Sequence, residues 1–406
     1  MSMLFTAAEV ELLGDIEFVE ERIGGRPTNS ALASSIVGPP HGNGASVYNQ
    51  ASTTGDTVNP NRIVVWDPPK RKFFGPPGYV RPTKKSQQTE AAPSNEDTSC
   101  NSRTQPPTFL FAYSNDLSSK TVSDTWNAFL DVENSVDLQY SWFGSVRFDT
   151  ENMDIEFHKD FNDVTSTIQN NLPDPNQGYQ NFSVGSNVFD VIEKFYSNTQ
   201  APVCGSIICI LLKRYPNEAD ISRLVSKIRS HHTFIHVMTS ATPSGGSQPK
   251  SMYFVSSKTN GMGPFESDDQ FFDIIGRFPM FATPYPVYAT TVQVNGSGTI
   301  NLPDLYLPKS DDYWVAITYQ DHVPIDSFQN LNLRWTNPGD SGNFAVNSND
   351  VSGVEDGGTY ACGWNGFGAT NYSMTLEYSY SSQDMQNLQI RIYSGTPLNN
   401  WLPYSD

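Results

Sequence analysis

Residues 206–212 read SIICILL, seven consecutive positions without a charge. A run this short and continuously apolar suits a strand buried on both faces, as in parallel sheets covered by helices. Such a strand obliges the chain to supply helices for two faces. The flanking sequence does so, with helical patterns over Phe161–Leu172, Val184–Tyr196 and Glu218–Ser230. In the last of these, Ile221, Leu224, Val225 and Ile228 recur in helical period. Upstream, Thr108–Tyr113 (TFLFAY) reads as a first strand, followed by a helix carrying Val122, Trp126, Phe129 and Leu130 on one face. Leu138–Arg147 and Asp154–His158 read as strands, as do Thr233–Met238 (TFIHVM) and Met252–Ser256 (MYFVS); Asp268–Ile275 closes with a helix. Strands alternating with helices predict an α/β, doubly wound, mostly parallel sheet over residues 108–280.

After Phe281 the period changes. Val287–Val294, Gly298–Leu307, Tyr313–Tyr319, Asn330–Trp335, Thr359–Trp364, Ser373–Tyr380 and Leu388–Tyr393 alternate or are rich in β-formers. Turn residues separate them, including Asn295-Gly296 and Asp356-Gly357-Gly358. Short strands with regular turns predict an antiparallel β-sandwich over residues 283–406. Different periods imply separate cores, with Phe278–Pro286 as the junction.

Residues 1–107 have another texture. Gly, Pro, Ser, Asn and Thr dominate from Gly24 to Pro107, and such a segment cannot bury enough apolar area to offset its entropy. A mostly disordered leader is expected. Its basic cluster of Lys70, Arg71, Lys72, Arg81, Lys84 and Lys85 admits three readings: a solvated linker, a juxtamembrane segment, or a nuclear-localisation patch. The net charge of −18 over 406 residues disfavours nucleic acid as partner of the folded part, which shows no basic face. Residues 1–25 lack a basic n-region, and no window offers a membrane span, so the literal reading is a soluble, unexported chain.

The motifs of catalysis are thin. Gly339-Asp340-Ser341-Gly342 matches a serine-protease nucleophile motif, yet Asn343-Phe344 follows it and no suitable His segment precedes it; a turn is the expectation. His231, His232 and His236 lack a common face, because the adjacent pair diverges when extended and His236 sits in a strand between apolar neighbours. No phosphate loop, dinucleotide fingerprint or nucleophile elbow is found. The chain is therefore expected not to be an enzyme and to need no cofactor. Aromatic residues crowd the C-terminal half, either as core or, around Trp364, Phe367 and Tyr372 (WNGFGATNY), as a binding loop for a sugar or peptide.

Residues 108–277 resemble a von Willebrand A domain, in particular the divergent kind in nematode extracellular and lectin-associated proteins. The features that match, in order, are the apolar first strand leading to a Ser-bearing loop, the strand ending VRFDT, the helix FNDVTSTI, the stretch NFSVGSNVFDVI and the strand SIICILL. The family holds Mg²⁺ with Asp-x-Ser-x-Ser, a Thr, and an Asp after the fourth strand, an oxygen-rich set suited to a hard cation. Here one register places Ala112, Ser114 and Asp116 at the first motif, and another places Asp116, Ser118 and Lys120. The Thr position falls near Ser183, and the last Asp position on Lys213 or Arg214. A cation at that place opposes a metal, so the resemblance implies a degenerate metal-ion site that binds none.

The resemblance also makes the first and fourth strands neighbours, which implies a bridge between Cys100 and Cys204, with Cys209 a buried thiol and Cys362 in the sandwich. It favours an extracellular or cell-surface chain, in which Asn181, Asn295 and Asn371 would be N-glycosylation acceptors. The missing signal favours the cytoplasm. A membrane-spanning segment lost between Lys85 and Cys100 would reconcile the two. The expectation is a protein or glycan ligand, bound by a non-catalytic adhesion or recognition protein; the alternative is an intracellular scaffold using the same A-like domain.

Overall fold

A computed structural model describes Cys100 and residues 107–133, 140–324, 327–348, 358–398 and 401–404. The predicted disordered leader, apart from Cys100 and Pro107, lies outside the described residues, as does its basic cluster.

The first half is built on one six-stranded sheet. Its strands are β1 (Thr108–Ser114), β2 (Trp142–Phe148), β3 (Glu156–His158), β4 (Ile207–Leu212), β5 (Phe234–Ser240) and β6 (Phe265–Glu266), in the order β3-β2-β1-β4-β5-β6. All pairs are parallel except the edge pair β2/β3. Every residue of β1, β4 and β5 is buried, as a strand sandwiched between helix layers must be. The two-residue side-chain period sorts β1 into two cores. Phe109, Phe111 and Tyr113 meet Trp126 and Phe129 of α1 (Ser119–Glu133), Phe161 and Val164 of α2 (Phe161–Asn170), and Phe271 of α6 (Phe271–Ile275). Leu110 and Ala112 face the other way, toward α3 (Val188–Ser197), α4 (Ser222–Ser230) and α5 (Ser251–Lys258).

Two expectations are corrected here. Met252–Ser256 is not a strand but the middle of α5. It is enclosed on nearly all sides, with Met252, Tyr253, Val255, Ser256 and Ser257 all buried, so its sequence lacks the polar face that marks an amphipathic helix. The sixth strand is instead Phe265–Glu266, too short to carry a period. The predicted helix from Val184 begins at Val188, because residues before it are held in a loop.

Among the described residues the second half has eight strands: β7 (Tyr285–Val294), β8 (Ser297–Tyr306), β9 (Asp311–Thr318), β10 (Phe328–Thr336), β11 (Ser341–Asn347), β12 (Tyr360–Phe367), β13 (Asn371–Tyr380) and β14 (Gln386–Ser394). They form two antiparallel sheets, β11-β10-β13-β8 and β12-β9-β14-β7. Successive strands from β7 to β10 alternate between the sheets, and β11 to β14 retrace that path, which is the winding of a jelly roll. The unpredicted strand is β11, a polar edge strand with one buried residue, Val346.

The halves share a seam. All nine residues of β14 are buried: Leu388, Ile390 and Ile392 enter the sandwich core, whereas Gln389, Arg391 and Tyr393 face the α/β half. Gln389 accepts from Gly263 N (2.7 Å) and donates to Tyr253 O (3.2 Å) and Ser256 Oγ (3.0 Å). Arg391 donates to the carbonyls of Gly261 (3.1 Å), Ser257 (3.1 Å), Ile390 (3.0 Å) and Thr290. Lys250 Nζ lies 2.9 Å from both oxygens of Asp321, which is also held by Asn387 Nδ2 at 2.5 Å. Phe278, Met280 and Phe281, just before β7, are buried in the α1/α2/α6 core, so the junction is packed.

Cys100 and Cys204 form the disulfide that the adjacency of β1 and β4 implied, with Cα atoms 5.5 Å apart. Trp401 closes over this end of the sheet, donating to Cys100 O (2.8 Å) and stacking on His232 at 4.5 Å. Gly205, at φ +69°, makes room for it; a Cβ there would sit 2.5 Å from the indole.

Candidate functional site

Ligands of open α/β sheets gather where loops leave the carboxyl ends of the strands. In this chain the loops after β1, β4 and β5 and the loop before α3 meet around one side chain. Arg214, two residues past β4, is 2% exposed. Its Nε donates to Asp116 Oδ2 (2.7 Å), beyond β1. Nη1 donates to the carbonyls of Asn181 (3.0 Å) and Val184 (2.8 Å), and Nη2 to that of Tyr179 (3.0 Å). Three carbonyls turned inward explain why α3 starts late: in a helix they would point along the axis at N–H groups. Gly245 and Gly246, after β5, complete the ring. A Cβ on Gly245 would lie 2.4 Å from Arg214 Nη1, and Gly246, at φ +81°, donates to Phe182 O (3.0 Å). Ser244 Oγ also donates to Asp116 Oδ2.

Beside this ring lies a second, buried carboxylate. Asp149, at the end of β2 with φ 60°, is wholly buried. Ser114 Oγ donates to it (2.5 Å), and Asn187 exchanges hydrogen bonds with it, N to Oδ1 (3.2 Å) and Oδ1 from Asp149 N (2.7 Å). Burial pushes its carboxyl up to about 6, against the lowering hydroxyls of Ser114 and Ser186. A third carboxylate, Asp268, pairs with Lys213 at 2.6 Å and accepts from Ser240 Oγ at 2.5 Å.

The sequence candidates scatter accordingly. Ser114, Asp116 and Arg214 come together, and Lys213, beside Arg214, pairs with Asp268 instead. Ala112 is inside the core and offers no side-chain oxygen. Ser118 caps α1 by accepting from Thr121 N (2.9 Å), and Lys120 pairs with Asp124 on the exposed face of that helix. Ser183 is exposed and bonded to Asn181 Oδ1 (2.8 Å). Asp149, Ser244 and Asp268 were missed as site residues. Ser244 and Arg214 reach Asp116 from 128 and 98 residues away, distances no local motif encodes.

A divalent ion does not suit this set. It needs oxygens at roughly 2.0–2.6 Å around a compact centre. Here a flat guanidinium already fills the space between Asp116 and the 179–184 carbonyls, and Asp268 faces an ammonium. Among the described residues no group of three His, Cys, Asp or Glu is placed to share an ion.

Two apolar side chains stand exposed at this face, among the exposed polar residues Gln180, Asn181 and Ser183. Phe182 is 77% exposed and Val184 is 38% exposed, on the loop whose carbonyls Arg214 holds. In the sandwich, by contrast, Phe367 and Tyr372 are buried, with Phe367 against Trp335 (4.5 Å) and Tyr372 OH donating to Asp340 (2.5 Å); Trp364 is half-buried against Trp314. The loop proposed from their sequence therefore presents at most Trp364. Asp340 and Ser341 form a turn and strand start, with Asn337 Oδ1 accepting from Gly339 N and Asp340 N at 2.8 Å each. Asn181, Asn295 and Asn371 are all exposed.

The strand order, with a parallel sheet and one antiparallel edge strand between helix layers, makes the α/β half von Willebrand A-like. Solved structures similar to the chain include a von Willebrand factor type A protein from Catenulispora acidiphila (10% identity, TM-score 0.34, 73% of this chain and 64% of that one). The chain thus spans just under two thirds of that protein. Another is the SpRpn10 VWA domain (9% identity, TM-score 0.30, 43% of this chain and 97% of that one). A third is a carbohydrate-binding module from Cellvibrio mixtus lichenase 5A in complex with cellotriose (11% identity, TM-score 0.17, 28% of this chain and 92% of that one). The family model "Domain of unknown function (DUF7154)" matches residues 290–395, within the jelly roll. No curated protein matches the chain.

Proposed function

We propose that this chain is a non-catalytic recognition protein that engages a protein or glycan ligand at the carboxyl-end face of its α/β half, without a metal ion. The observation that carries this reading is Phe182, a large apolar side chain 77% exposed on a loop pinned by a buried arginine. An exposed aromatic on a preorganised loop loses little entropy on docking, which is how interface anchors work. Ser114 and Asp149 do form a hydroxyl–carboxylate pair, but both are wholly buried, so neither group is presented to a substrate. The Cys100–Cys204 bridge supports an oxidising, extracellular or cell-surface setting, where the exposed Asn181, Asn295 and Asn371 would serve as glycan acceptors.

The test is a screen of the whole chain against immobilised glycans and a displayed library of extracellular proteins, with the Phe182→Ala variant in parallel. A ligand whose affinity drops at least about tenfold with Phe182→Ala supports the reading, since a central aromatic anchor is worth more than about 1 kcal/mol. Turnover in a broad hydrolase panel, or a ligand indifferent to Phe182, overturns it. Thiol counting in denaturant on the protein from its native source separates the settings: two free thiols fit the extracellular one, four an intracellular scaffold.

A further inference from the structure

We infer that the Arg214 guanidinium is the resident cation of the carboxyl-end cleft, permanently stapling the loops after β1, before α3 and after β5 so that the Phe182 loop is ordered with no bound ion. The inference rests on the reading of this cleft as the presenting face, but its test reads loop order and needs no ligand.

The arrangement of acceptors makes the case. Four of the five N–H groups of a guanidinium are matched, at 2.7–3.0 Å, by one carboxylate and three carbonyls from two separate segments. The group is planar and its donors have fixed directions, so these acceptors define a flat cradle. A compact ammonium or a small spherical ion cannot reach all four at once. Without the cation, three carbonyl dipoles and the Asp116 carboxylate would face one another in a site that is nearly dry: the Arg214 and Asp116 side chains are 3% and 10% exposed. Unpaired buried acceptors and an unpaired buried charge are costly, so the loop would open to water. The third loop is locked to the same centre from behind. Gly245 O accepts from Tyr215 N (2.9 Å), Gly246 N donates to Phe182 O (3.0 Å), and Ser186 N donates to Tyr215 O (2.8 Å). Gly245 leaves no room for a side chain beside the guanidinium.

The experiment is hydrogen exchange on the whole chain, following the amides of Val184, Ser186, Tyr215 and Gly246, in wild type, Arg214→Gly and Arg214→Lys. Each is measured alone and with millimolar Mg²⁺, Mn²⁺, guanidinium chloride or urea, all far below denaturing levels. In wild type no addition should change exchange. Arg214→Gly should lose protection at these amides by about a hundredfold, the scale on which breaking a buried ion pair acts. Guanidinium should restore most of it, and urea, of similar shape but uncharged, should not. Arg214→Lys should remain close to the glycine variant. If Arg214→Gly does not fold, Asp116→Asn, which keeps the shape and removes the charge, should loosen the same four amides and leave the buried strand β4 protected. Unchanged protection in Arg214→Gly or Asp116→Asn, better rescue by Mg²⁺ or Mn²⁺ than by guanidinium, or a wild-type response to a divalent ion would each overturn the inference.

Discussion

Among the described residues two arginines are buried, and they are held differently. Arg214, at the carboxyl-end face, has a carboxylate partner, and its carbonyl acceptors come from an exposed loop. Arg391, in the seam, has no carboxylate among its partners: four carbonyls and Thr291 Oγ1 (3.2 Å) take its donors. Burial pulls its pKa down, against opposing contributions from Tyr393, Tyr253 and Tyr288. Two buried aspartates repeat the contrast. Asp149, in the cleft, is surrounded by neutral donors and its carboxyl is raised to about 6. Asp321, in the seam, is opposed by burial too, but His322, Asn387 and Lys250 outweigh it and hold its pKa below the usual range. The seam therefore joins the two halves through buried groups, whereas the carboxyl-end site holds a loop whose Phe182 is exposed.

The largest effect should come from neither arginine but from the bridge at the opposite end of the sheet. The disulfide spans 104 residues, so Cys204→Ser should cost about 4–5 kcal/mol by the chain-entropy model, an upper figure. Urea unfolding monitored by tryptophan fluorescence would measure it. A loss below about 1 kcal/mol would mean that Trp401 and the strand pairing hold this end without the bridge.

Next in size is Arg391→Met. Losing the guanidinium donors to the two carbonyls across the seam, Gly261 and Ser257, at about 1.5 kcal/mol each, should lower stability by roughly 3 kcal/mol, and the loss should fall on the seam. Calorimetry should then show one transition for the wild type and two for the variant. An unsplit transition would indicate that β14 owes its place to Leu388, Ile390 and Ile392 alone.

Asp149→Asn sharpens the comparison through pH. A carboxyl raised in the fold stays protonated where the unfolded chain has already ionised. Its contribution is fully present below about 3.8 and is lost as pH rises to about 6. Relative to Asp149→Asn, wild type should therefore lose up to about 3 kcal/mol between those pH values. Melting temperatures of both proteins across that window test the sign. Asp321→Asn should behave oppositely, losing its advantage as pH falls, because its carboxylate is stabilised in the fold.

The smallest stability effect belongs to Phe182→Ala, within about 0.5 kcal/mol, because the side chain is exposed. Equality of the two denaturation midpoints would confirm that Phe182 is displayed and not packed. A larger loss would place it in a contact within the fold.

Local patterning determined much of this architecture. The uncharged run at 206–212 demanded helices on both faces, and the alternating apolar and polar residues after 281 demanded paired sheets, because burial imposes a period on any strand or helix with a core face and a wet face. The pattern fails where an element has no wet face or almost no core face. Helix α5 is enclosed between the sheet and β14, so Met252–Tyr253–Phe254–Val255 reads as a strand, and edge strand β11 buries too little to show a stripe. The residues of the cleft were partly legible: Ser114, Asp116 and Arg214 stand at loop positions that strand ends alone can locate. Their partnership was not, because an ion pair between residues 98 apart is decided by the strand order that brings β1 beside β4. The same holds for the loop that carries Phe182, whose carbonyls meet Arg214 only after distant segments have come together.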